Sequence, residues 1–110
     1  MAVNLDRKVQ FRRRIGVNGP LGMEYTWSDH GPRISASRRD ISDAEKVAAG
    51  QVQATISARF IVRSTTFTRD LNPIDRLTHG GREWGIQGIK EANLGRHAFL
   101  EITATARADV

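Results

Sequence analysis

The stretch DRLTHGGREWGIQGIKE, residues 75–91, is the part of this sequence that comes closest to a chemical site. Two consecutive glycines, Gly80 and Gly81, separate two extended runs. Glycine loops hold phosphate when they join a strand to a helix, because the helix N–H groups then converge on the anion. Here the glycines are followed by REWGIQGI, which alternates as a strand. No Lys-Ser/Thr pair follows them, and no G-x-G-x-x-G spacing is present. A two-residue Gly-Gly link between extended runs suits a type I′ or II′ hairpin turn, since glycine tolerates positive φ. The spacing therefore predicts a turn and removes the best local argument for a nucleotide site.

The remaining reactive residue types form no recognisable constellation. His30, His79 and His97 lie far from metal-ligand spacing, and there is no cysteine to complete a site. Serine, histidine and aspartate are all present, but without a G-x-S-x-G elbow. Asp70 and Asp75 sit in loop sequence rich in arginine and read as solvated charges. No catalytic residue, metal site or cofactor is assigned. What stands out is arginine: residues 12–14, then Arg38 and Arg39 with Arg33 nearby. Its fork is always charged and binds phosphate or carboxylate bidentately. Single-strand binders add aromatic platforms on the same surface, and Tyr25, Trp27 and Phe99 are scattered in sequence. Sequence-specific nucleic-acid binding is therefore not expected. Nonspecific contact with a DNA backbone and pairing with acidic side chains of a neighbouring subunit both stay open.

These residues must be positioned by a small scaffold. The chain has 110 residues, read as a single domain over 1–110 with one modest core. Hydrophobic residues make up 39% and charged residues 26%, which suits a globular rather than a disordered chain. No apolar run approaches the roughly 20 residues that span a bilayer, so no membrane role is expected. The N-terminus has no apolar core of a secretory signal. The absence of cysteine fits folding in a reducing cytoplasm. The net charge is +5, and the whole excess falls in residues 1–63, which carry 11 Lys/Arg against 6 Asp/Glu. A basic half suggests a polyanionic neighbour or, equally, a solvated surface.

Four runs alternate strongly enough to predict strands: 8–15, 54–63, 82–89 and 98–106. In the first, Val9, Phe11 and Ile15 share a face that Arg13 interrupts, which places Arg13 at a barrel rim with its end in water. In the second, Ile56, Ala58, Phe60 and Val62 point one way, while Arg59 and Arg63 lie on a polar face that meets solvent or a partner. Gly85 and Gly88 within the third mark a bulge or bend. Residues 24–29, 32–38 and 74–79 are weaker strand candidates. One helix is expected over 41–51, where Ser42 and Glu45 form a capping box and Gly50 a stop. Residues 16–23, 64–73 and 91–96 read as loops, the first of them flexible. The sum is a mainly β chain: a small antiparallel β-barrel with one short side helix and long loops.

In order, these features resemble the phage head-tail joining family, the adaptor, stopper and head-closure proteins of long-tailed phages. A basic strand, DRKVQFRRRI, leads into GVNGPLGMEYTW. The segment PRISASRRDISDAEKVAAGQVQATISARFIVR looks like the family's strand, short Glu-bearing helix and long alternating strand. PIDRLTHGGREWGIQGIKE is similar to its D-R-hydrophobic, Gly-Gly-Arg, aromatic-x-Ile-x-Gly pattern, and HAFLEITATARA closes the chain. The resemblance implies a ring of copies in the virion neck, sixfold favoured with twelvefold the alternative. Portal or adaptor proteins would lie on one side and tail terminator or tail proteins on the other. Nonspecific packaged DNA would fill the channel, and assembly would occur in the bacterial host cytoplasm. The segment 37–53 would face the channel, with Arg38 and Arg39 the charges nearest DNA. Arg59, Arg63, Arg12 and Arg14 form the candidate face between subunits. Two rival readings stay in view, a tail-completion protein capping the tail tube and a free nucleic-acid-binding β-barrel. An enzyme has no supporting motif.

Overall fold

Alternating apolar residues can bury one face only if the strands that carry them close around a common interior. The computed structural model describes residues 4–41, 55–92 and 98–107. They form β1 (Arg7–Gly19), β2 (Gly22–Asp29), β3 (Ile34–Asp40), β4 (Thr55–Arg63), α1 (Thr66–Arg69), β5 (Arg76–His79), β6 (Arg82–Glu91) and β7 (Phe99–Arg107). All pairings between these strands are antiparallel, in the order β2-β1-β3-β4-β7-β6-β5. A further pairing of β1 with β5, Phe11 opposite Leu77, closes the sheet on itself. The mainly β barrel expected from the sequence is thus the observed architecture. The helix expected over 41–51 falls almost wholly outside the described residues.

The interior follows the predicted faces. Phe60 stands opposite Ile102, Ala58 opposite Ala104 and Val62 opposite Leu100 across β4 and β7. Val9, Phe11, Ala36, Leu71, Leu77, Trp84, Ile86 and Ala106 complete the buried cluster. Small and large side chains alternate because a narrow barrel has room for few rings. Trp84 meets Phe60 edge to face with centroids 5.3 Å apart, and its indole N–H donates to the His79 carbonyl (3.2 Å). A bulge lies where glycine within a strand suggested one. The register shifts between Ile86 and Gly88 and bends β6 around the barrel.

The segment read as a flexible loop, residues 16–23, is instead the end of a β-hairpin. Arg12 to Gly19 pair with Gly22 to Asp29, and Pro20-Leu21 makes the turn. Glycine lowers the local strand signal, but the inward-facing backbone groups here find their partners across the hairpin. Beyond Arg12, β1 pairs with β2 alone, so residues 13–19 carry the hairpin clear of the barrel as an arm roughly 20 Å long.

Residues 64–73 also hold more order than a loop. Thr65 caps α1, and its hydroxyl accepts from the Thr68 N–H, while Thr68 Oγ1 accepts from the Thr65 N–H. This is a capping box with threonine in place of the usual glutamate. Phe67, carried by this turn, packs edge to face on Phe11 and against His30. Gly31 lies between β2 and β3 with φ +73°, and a Cβ there would run into the Phe67 ring. Gly31→Ala is therefore expected to cost about 2–3 kcal/mol, combining left-handed backbone strain with overpacking. A urea unfolding curve measures it, and a cost below about 0.5 kcal/mol would mean that Phe67 yields freely.

Candidate functional site

The surface divides into three regions: the basic outer wall of the barrel, the base of the arm, and the arm itself. The outer wall takes its chemistry from the polar faces of the strands. Arg39 on β3 stands directly opposite Arg59 on β4. On β7, Glu101 reaches Arg59 at 3.6 Å and Lys90 of β6 at 3.3 Å. The row Arg39, Arg59, Glu101, Lys90 thus crosses four strands with three cations and one carboxylate. Arg39 and Arg59, like charges directly opposite each other, form an unfavourable pair taken alone. Arg63, on the same face of β4, lies 5.8 Å from the Phe99 ring.

Arg38 and Arg39 point to opposite faces of β3, as successive strand residues do. Arg38 shares the face of buried Ala36, stands over the Trp84 ring at 5.1 Å and donates to Asp40 (2.8 Å). Arg39 is exposed on the outer wall. Most of the segment 37–53 and His97 lie outside the described residues.

At the base of the arm, the expectation for Arg13 and Asp75 needs correcting. Arg13 does not end in water, and Asp75 is not a solvated charge. Asp75 is only 2% exposed. Arg13 grips it bidentately, Nε to Oδ1 at 3.0 Å and Nη2 to Oδ2 at 2.8 Å, and also donates to Asp70 Oδ2 (3.0 Å). The backbone N–H of Asn72 supplies Asp75 with a third bond (3.1 Å). These bonds, led by that to Asp75, raise the Arg13 pKa above the ordinary arginine value against the opposing effect of burial. A raised pKa stabilises the fold below the unfolded value and is lost only as pH rises through the folded one. The pair therefore persists through the whole neutral range. Residue spacing gave no hint of it, because Arg13 and Asp75 are 62 positions apart.

The arm presents apolar side chains on both faces. Register puts Ile15 and Val17 on one face and Met23 and Tyr25 on the other, across Asn18 and Gly16. Leu21 at the tip is 98% exposed, and the other four are about half exposed. The outer edge of β2 pairs with no described strand. Arg14 stacks on Tyr25 at 4.2 Å and Arg76 on Trp27 at 4.1 Å. Tyr25 and Trp27, scattered in the linear reading, therefore share one face of β2 under arginine. Arg12 sits nearby, bonded to Asp29 (2.9 Å) and to the Trp27 carbonyl (2.9 Å). Of the arginines expected between subunits, Arg12 and Arg14 thus belong to the arm and its base, while Arg59 and Arg63 belong to the wall. The sequence signal for the arm is the alternation of Ile15 with Val17 and of Met23 with Tyr25, which the surrounding glycines dilute.

Residues 1–107 match the family model described as phage head completion protein. The solution structure of protein SF1141 from Shigella flexneri 2a shares the fold, with a TM-score of 0.72 at 22% identity over 96% of both chains. A chain from the virion of a native gene transfer agent particle also shares it, with a TM-score of 0.67 at 23% identity, covering 94% of this chain and 96% of that one. No curated protein sequence matches the chain.

Proposed function

The chain belongs to the phage head completion protein family, and on that premise we propose that it is a head–tail connector of stopper or adaptor type, one subunit of a closed ring around the DNA channel. The family makes it a structural component of a virion. The observation that carries the finer reading is the arm. A subunit that exposes Ile15, Val17, Leu21, Met23 and Tyr25 on one projecting hairpin leaves surface to be covered. Contiguous exposed apolar patches and unpaired strand edges both mark sites of protein contact. An arm that reaches from each copy to the next makes head-to-tail contacts, and such contacts close into a ring when the rotation permits.

Within that ring, the outer wall with Arg59 and Arg63 meets a neighbouring subunit, and Arg39 is the cation available to packaged DNA. Arg38 has a structural part, covering Trp84. The portal side and the tail side supply the axial partners. The same contacts also suit a ring on the tail tube, so the partner captured by the intact particle decides between the two posts.

The test uses the arm. In the double variant Val17→Asp/Leu21→Asp, both side chains are solvent-facing, so Tm should shift by no more than about 4 °C. Particles assembled with it should lack the protein in the neck, as read by cryo-EM of purified particles. Normal incorporation of the variant, or wild-type density located away from the head–tail junction, overturns the reading.

A further inference from the structure

The Gly80-Gly81 link is the turn that its spacing predicted, and both glycines have positive φ, 62° and 76°. It also borders a cleft of about 380 Å³, where the turn meets β1 and the start of β3. Among the described residues Lys8, Gln10, Arg33, Thr78 and the turn residues His79 to Gly81 line this cleft, and none of them is a carboxylate. Lys8 Nζ spends one donor on Ser35 Oγ (2.7 Å) and keeps two. Arg33 has no hydrogen-bond or ion-pair partner among the described residues. That sets it apart from Arg12, Arg13, Arg38, Arg59 and Arg76, each of which is paired with a carboxylate of its own chain.

The glycine turn adds two donors of its own. The hydrogen bond of a tight two-residue turn uses the flanking residues, leaving the two central N–H groups over. Nothing lies within 4 Å of where a Cβ would stand on Gly80 or Gly81, so a ligand can approach their backbone. Gln10 is already committed, donating to the carbonyls of Phe11 (3.0 Å) and Gly31 (2.9 Å), and so holds the strand break that carries Arg33 in place.

We propose that this cleft receives an acidic segment of a neighbouring virion protein, with a side-chain or terminal carboxylate seated between Arg33, Lys8 and the glycine turn. Arginine binds a carboxylate through two parallel bonds, and charge-assisted bonds are the stronger kind. A concave recess with two convergent cations suits a side chain that projects into it. A DNA duplex needs cations spread along a surface that follows its convex backbone, as Arg39 and Lys90 are on the outer wall. The proposal rests on the reading that the chain assembles with other virion proteins. Its test is made on the isolated full chain, so the two can fail separately.

Titration of the 15N-labelled chain with a hexaglutamate peptide should move the amide resonances of Gly80 and Gly81 saturably. Arg33→Gln with Lys8→Gln should weaken this binding by roughly tenfold or more, while Tm holds. Arg39→Gln, on the outer wall, should leave it unchanged. Parallel titrations use inorganic phosphate and a short DNA duplex. The proposal is overturned if the peptide leaves both glycine amides unmoved, or if the Arg33/Lys8 variant binds as wild type. It is equally overturned if the duplex saturates the same amides at lower concentration than the peptide, which would make the cleft a nucleic-acid site.

Discussion

Arg13→Met should destabilise the protein by about 3–5 kcal/mol, the cost of leaving a buried carboxylate without its charged partner. Methionine keeps the apolar stem and removes the fork, so the loss reports the ion pair rather than packing. The effect is large because Asp75 is 2% exposed and takes two of its three hydrogen bonds from Arg13. Against a total stability of roughly 5–15 kcal/mol for a domain of this size, one substitution removes a large share. Chemical denaturation gives the value directly, with the slope unchanged if the transition stays two-state. The double variant Arg13→Met/Asp75→Leu should recover most of the loss, since replacing both partners by apolar groups removes the unpaired charge. A single-variant cost below about 1 kcal/mol would mean that water reaches Asp75 as soon as the fork leaves. The pair also anchors the base of the arm to the α1–β5 loop, so the variant should impair assembly as well as folding.

Trp84→Ala is the second large effect, expected at about 3–5 kcal/mol from lost burial plus the cavity left behind. Trp84 is 1% exposed, stacks edge to face on Phe60 and lies beneath the Arg38 guanidinium. Its surroundings cannot collapse into the gap easily, because the ring of strands is closed by backbone hydrogen bonds. Trp84→Phe separates the contributions. It keeps an aromatic ring against Phe60 but loses the N–H bond to His79 and part of the cation–π contact, together about 1–2 kcal/mol. A cost for Trp84→Ala under about 1.5 kcal/mol would show that the interior is loosely packed around residue 84. Both variants are read by urea unfolding followed by circular dichroism, since the intrinsic fluorescence changes with the substitution.

The two effects differ in how far the sequence foretold them. Trp84 was legible: it lies on the apolar side of an alternating run, and alternation decides which face a strand buries. Arg13 was misread for the same reason. A charged residue on an apolar face looks like an interruption until its partner is known, and Asp75 arrives from a loop far along the chain. The capping turn at Thr65 was missed because Thr68 does the work expected of a glutamate. The arm was missed because Gly16, Gly19 and Gly22 dilute the strand pattern, although Ile15, Val17, Met23 and Tyr25 keep the alternation between them.

Local spacing alone determined the strand faces, the Gly80-Gly81 turn and the irregularity in β6. Each depends on residues within a few positions of one another, where backbone geometry converts sequence order into direction. Tertiary structure decided that β1 closes onto β5, that β1 and β2 run past the barrel as an arm, and that Arg33 and Lys8 converge on the glycine turn. Those outcomes depend on which strand edges remain free once the other pairings are made. That is a property of the whole sheet, and no single segment carries it.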